Sequence, residues 1–109
     1  MEVKDRFEAL LAKMSSDPSH LGDLNVVYQF NFAGNEDGVY QLKISDKQVE
    51  FVEEKRFEPQ ITLEMSEDNF LNLIKGDLNP TMAYMSGKLK VRGDLSLALK
   101  LHGLLKKYQ

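Results

Sequence analysis

His20 and His102 are the two histidines of this 109-residue chain. Nothing at a fixed spacing pairs either of them with a nucleophile or a carboxylate, the pairing that general acid–base and triad chemistry require. There is no cysteine, which removes disulfides, thiolate metal sites and cysteine nucleophiles together. The chain lacks a zinc-protease HExxH, a phosphate-cradling GxxxxGK and a GxSxG nucleophile elbow. Ser86, in Met85-Ser86-Gly87-Lys88, reads as the end of a short helix before a glycine. Seventeen Asp/Glu on so small a surface make chance pairs inevitable, so no pair marks an acid–base dyad. The expectation is a protein without catalytic residues, metal or cofactor.

The informative residues are apolar. In the last helix, Leu95, Leu97, Ala98, Leu99, Leu101, Leu104, Leu105 and Tyr108 cover an arc of roughly 220° at about 100° per residue. A helix lying on one side of a core needs a stripe of about 100° or somewhat more. The excess must meet something besides a sheet: a neighbouring helix, a cavity holding an apolar ligand, or a partner subunit. A second oddity is the short segment Met82-Ala83-Tyr84-Met85. Methionine conforms to irregular apolar shapes, and tyrosine adds a polar handle to an apolar body. Core gap-filling would use the same residues.

The elements that position these residues are legible in order. Val3, Phe7, Leu10, Leu11 and Met14 line one face of a first helix, stopped by Ser15-Ser16-Asp17-Pro18. Pro18 opens a short turn through about Leu21, before Gly22. Leu24, Val26, Tyr28, Phe30 and Phe32 alternate as a strand. A turn over Gly34-Asn35-Glu36-Asp37-Gly38 leads to a second strand with Tyr40, Leu42 and Ile44 on one face and Gln41 and Lys43 on the other. Asp46-Lys47 makes a tight turn into a third strand carrying Val49 and Phe51. A polar link ends at Glu58-Pro59, and Ile61, Leu63 and Met65 form the fourth strand. Ser66 caps a helix with Phe70, Leu71, Leu73 and Ile74 on its apolar face, ended by Gly76. Asn79 caps the Met-Ala-Tyr-Met helix, Pro80 fills its first position and Gly87 stops it. The strand Lys88-Leu89-Lys90-Val91-Arg92 follows, and Asp94 caps a last helix running to about Lys107. The order is that of a single α+β domain over residues 1–109, without repeats or linkers.

Charge divides the chain unevenly. Residues 1–87 hold eight Lys/Arg against sixteen Asp/Glu, whereas residues 88–109 hold six against one. Lys88, Lys90 and Arg92 alternate on one strand and would form a membrane-facing basic patch, or else a solvated face without a partner. Nucleic acid is disfavoured by the acidic total and by the lack of aromatics interleaved with these cations. No apolar run approaches the ~20 residues of a membrane-spanning helix. The amphipathic start lacks a secretory pattern, and cytoplasm is the expected compartment.

Ser66-Glu67-Asp68-Asn69-Phe70, Gly76-Asp77-Leu78-Asn79-Pro80, the run from Met82 through Val91 and Arg92-Gly93-Asp94 together resemble the sterol carrier protein-2, or sterol-binding domain, family. The resemblance extends more loosely over Gln29–Phe32, Gly38–Leu42 and the final helix. It implies a five-stranded, mostly antiparallel sheet covered on one face by helices, with an apolar tunnel between the layers. The tunnel would bind fatty acids, acyl-CoA, sterols or isoprenoid lipids without reacting with them, and the protein would transfer them. Expected wall residues are Phe30, Leu42, Phe51, Phe70, Ile74, Met82, Met85, Leu97, Leu99 and Leu101. The chain lacks tryptophan, and it lacks the peroxisomal C-terminal signal of the animal carriers, which points to a small stand-alone bacterial-type relative. Alternatives that remain are a protein-interaction module, with any tunnel collapsed, and an accessory subunit presenting lipid to a partner enzyme.

Overall fold

Period-two apolar runs and well-capped helices fold here into two layers. The computed structural model describes residues 2–32 and 38–108, with side chains from Asp5 onward. The side chain of Val3 and, apart from Gly38, the turn expected over 34–38 lie outside the described residues. Helix α1 (Glu2–Ser16) is followed by a 3₁₀ turn over Pro18–His20, then β1 (Val26–Phe32), β2 (Val39–Ser45), β3 (Gln48–Val52) and β4 (Ile61–Met65). Helices α2 (Glu67–Ile74) and α3 (Pro80–Met85), strand β5 (Lys90–Gly93) and helix α4 (Leu95–Lys107) complete the chain.

The strands form one sheet in the order β3-β2-β1-β4-β5. The pair β1–β4 is parallel, and the other three neighbours are antiparallel. The turn between β2 and β3 is tight because Asp46 and Lys47 both take positive φ, 54° and 62°, the geometry of a two-residue hairpin whose twist suits its strands. Alternation puts Tyr28, Phe30 and Phe32 of β1, Leu42 and Ile44 of β2, and Ile61, Leu63 and Met65 of β4 on the core face, all buried. Phe7, Leu10 and Met14 of α1, Phe70, Leu73 and Ile74 of α2, and Ala98, Leu101, Leu104 and Leu105 of α4 close over them.

The starts of α2, α3 and α4 are satisfied as their cap residues demand. The Ser66 hydroxyl accepts from Asn69 N, Asn79 Oδ1 from the amides of Thr81 and Met82, and Asp94 Oδ1 from Ser96 N. Gly87, at φ 81°, then turns the chain out of α3. Gly93 answers a different need. At φ 117° it brings β5 so close to β4 that a Cβ would sit 2.7 Å from the carbonyl oxygen of Gln60.

The opposite sheet face is covered in part, over β1 and β2. The link 53–60 passes over it, held by Gln41, which is fully buried. Gln41 Oε1 accepts from the amides of Arg56 and Phe57, and its Nε2 donates to Phe57 O and to Gln29 Oε1. Lys43 places its ammonium 4.7 Å from the Phe57 ring centre. This link is the connection that lets β4 run parallel to β1 without a crossover helix.

Candidate functional site

Among the described residues no group of three or more His, Cys, Asp or Glu is arranged to hold a metal ion. His20 lies 3.9 Å from the Asp17 carboxylate on the surface, and the Ser86 hydroxyl donates to Ala83 O, closing α3. Every buried side-chain nitrogen and oxygen among the described residues has a hydrogen-bond partner. Tyr28 is buried, and burial pushes its phenol well above the usual value of 10.0, so it stays neutral. What the interior offers is apolar surface.

That surface centres on aromatic rings between the layers. Phe7 of α1 packs 4.5 Å from Phe51, 5.4 Å from Phe70 and 6.0 Å from Phe30, centroid to centroid. Phe70 also lies 4.9 Å from Phe30 and 5.2 Å from Phe32, edge to face. Of the ten expected wall residues, Phe30, Leu42, Phe70, Ile74 and Leu101 are buried in this layer, and Phe51 and Leu97 are half-buried against it. The other three stand apart: Met82 is 69% exposed, Met85 79% and Leu99 44%. The reason is helical phase. In α3, Pro80 and Ala83, three residues apart, face inward and are buried. Met82 and Met85, also three apart, therefore share the outward side. In α4 the core direction is set by Ala98, Leu101, Leu104, Leu105 and Tyr108, which turns Leu99 to solvent and leaves Leu97 on a flank.

On that flank a cleft of about 650 Å³ opens between α4 and the segment entering β1. Its lining includes Leu21, Val26 and Leu104, which belong to the same buried apolar cluster as the aromatic rings. Leu24 and Leu97 extend it, and Lys100, Lys107, His20 and Asp23 surround it. The expected wall included Leu97 but not Leu21, Leu24, Val26, Leu104 or the two lysines. A signal was present, since Leu97 and Leu104, and Lys100 and Lys107, each repeat after seven residues and so stack on one side of a helix.

The basic strand behaves differently from the cleft. Lys90 and Arg92 stand opposite Glu64 and Thr62, on the sheet face away from the helices, and Lys90 Nζ lies 3.5 Å from a Glu64 oxygen. Lys88 precedes the strand, exposed in the bend after α3.

The sequence pattern of the SCP-2 sterol transfer family matches residues 7–106. The chain belongs to that family. Among curated relatives, this SCP-2 chain is 38% identical over 104 residues to hydroxysteroid dehydrogenase-like protein 2 of Bos taurus. The match covers 94% of this chain but spans only 24% of that relative's length. Among solved structures, its fold matches the Aedes aegypti sterol carrier protein-2 in complex with the C16 fatty acid palmitate. The TM-score is 0.75 at 16% identity, over 100% of this chain and 98% of that one. The ubiquinone synthesis protein UbiJ-SCP2 matches with a TM-score of 0.69 at 20% identity, over 86% and 78% of the two chains. At these identities the likeness is one of fold: the SCP-2 architecture of α-helices on an open five-stranded sheet.

Proposed function

We propose that this chain binds long-chain lipids in the layer between sheet and helices and transfers them without chemical change. The observation that carries the reading is the cleft, lined by Leu21, Val26 and Leu104 of the same buried cluster as the aromatic rings and by Lys100 and Lys107. An acyl or isoprenoid chain would run inward against Phe30, Leu42, Phe51, Phe70, Ile74, Leu97 and Leu101, taking the place of ring–ring contacts. Its anionic head would rest near the two lysines. Each methylene buried contributes about 0.8 kcal/mol, so a long chain gains useful affinity from the tail alone. The head contacts are exposed and add little, which makes headgroup selectivity weak.

The test is displacement of a fluorescent fatty acid by several lipid classes, repeated with Lys100→Gln/Lys107→Gln. Competition by several classes, with a few-fold loss of affinity for fatty acid and none for a neutral lipid, supports the reading. Saturable binding of one polar molecule without lipid competition overturns it.

A second reading has an observation of its own. The curated relative is about four times longer than the match within it, so there the domain accompanies other parts of a larger protein. In that setting the carrier would present its lipid to a partner enzyme. The partner's activity on lipid loaded into this chain, compared with the same lipid free, tests that role.

A further inference from the structure

The large hydrophobic side chains exposed among the described residues are Met82, Tyr84, Met85 and Leu99, and all four lie on α3 and α4, which pack against each other. Exposed apolar side chains gathered on one part of a surface mark a place of contact. The same part of the chain is the basic one. Residues 78–109 carry six Lys/Arg and a single carboxylate, Asp94, while residues 1–77 carry eight Lys/Arg against sixteen Asp/Glu. Lys88 follows α3 directly and is exposed. Leu99 and Lys106, seven residues apart, share the outward side of α4. Asp94 is engaged in capping α4 through Ser96 N.

From this we infer that the α3–α4 face is a membrane-docking surface that inserts Met82, Met85 and Leu99 into an anionic bilayer, with Lys88 and Lys106 against the headgroups. The chemistry selects that partner. Flexible thioether and leucine side chains enter the acyl boundary, tyrosine suits the interface, and cations near the surface are drawn to anionic lipid. Placement by α3 is firm because Ala83 anchors the helix from below. Its side chain is buried, and its carbonyl accepts from the amides of both Lys88 and Leu89. The strand cations Lys90 and Arg92 point from the other sheet face and are not part of this surface. The inference rests on the carrier reading for its purpose, since a carrier must meet bilayers, but vesicle binding is measured separately from lipid binding.

The chain has no tryptophan, so Met85→Trp is a sole reporter at an exposed site. Its emission should shift to the blue with vesicles of phosphatidylcholine containing phosphatidylglycerol and be quenched by brominated acyl chains. Gln48→Trp, exposed on the far edge strand β3, should not respond. Met82→Ser/Met85→Ser should reduce vesicle partitioning by about tenfold or more. It should leave fatty-acid affinity without vesicles unchanged, and wild type should prefer anionic over neutral vesicles by at least about tenfold. Equal responses of both reporters, or equal partitioning to neutral vesicles, overturn the inference. So does loss of fatty-acid affinity in the double variant, which would make these methionines part of the lipid site. A vesicle-independent dimer dissociated by the double variant would show instead that a second copy covers this face.

Discussion

The Tyr28 hydroxyl in β1 donates a 2.9 Å hydrogen bond to the backbone carbonyl of Leu97 in α4, tying the middle of the sheet to the helix that walls the cleft. Tyr28→Phe keeps the ring and removes this tie, so stability should fall by about 1 kcal/mol. The flank of α4 beside the cleft should loosen with it. Urea unfolding measures the first effect, and stopped-flow release of a fluorescent fatty acid should show faster dissociation. Unchanged stability and unchanged release would mean the bond holds nothing at the cleft.

Alkaline pH should destabilise the fold through the same residue. Burial raises the Tyr28 phenol pKa above its unfolded value near 10.0. The folded state thus retains a proton that the unfolded chain gives up. The stabilisation is complete below pH 10 and is lost as pH rises beyond it. Melting temperature should decline above pH 10 more steeply for wild type than for Tyr28→Phe. Parallel pH profiles would contradict this.

Two glycines should respond in opposite senses to alanine. At Gly93 a methyl meets backbone at 2.7 Å with φ at 117°, so Gly93→Ala should cost about 2 kcal/mol or more. Gly103 sits inside α4 with nothing within 4 Å of the Cβ position. Gly103→Ala should stabilise by about 0.5–1 kcal/mol through helix propensity alone. Denaturant midpoints of the two variants test both signs.

Gln41 makes the buried hydrogen bonds that hold the link over the outer sheet face. Gln41→Ala leaves the amides of Arg56 and Phe57 without their acceptor, and a buried unsatisfied group costs about 1–3 kcal/mol. Amide exchange should accelerate over residues 53–60 before it does in β1. If protection there is unchanged, the link is held by something other than Gln41.

Much of this was open to reading in the sequence for physical reasons that can be named. Strand alternation at Tyr28, Phe30 and Phe32 sets a buried face, and Ser66, Asn79 and Asp94 announce helix starts because their side chains replace missing backbone acceptors. The parallel β1–β4 pairing was not legible, since the link 53–60 carries no helix to signal a crossover. Nor was the burial of Gln41, whose place on the polar side of an alternating strand suggests solvent. The segment Met82–Met85 resembled a tunnel wall, yet a helix of six residues is too short for periodicity to fix which side faces in. There the decision lies with Pro80 and Ala83. The wide apolar arc of α4 combines three destinations: core for Leu101 and Leu104, cleft flank for Leu97 and solvent for Leu99.

The most direct measurement of the carrier account is an isotope-filtered NMR experiment on the chain titrated with ¹³C-labelled palmitate. The account predicts intermolecular contacts from the acyl methylenes to the rings of Phe30 and Phe70 and the methyls of Leu101, with the carboxyl end near Lys100. Contacts confined to exposed residues such as Met82 and Met85, or no contacts at saturating fatty acid, would contradict it.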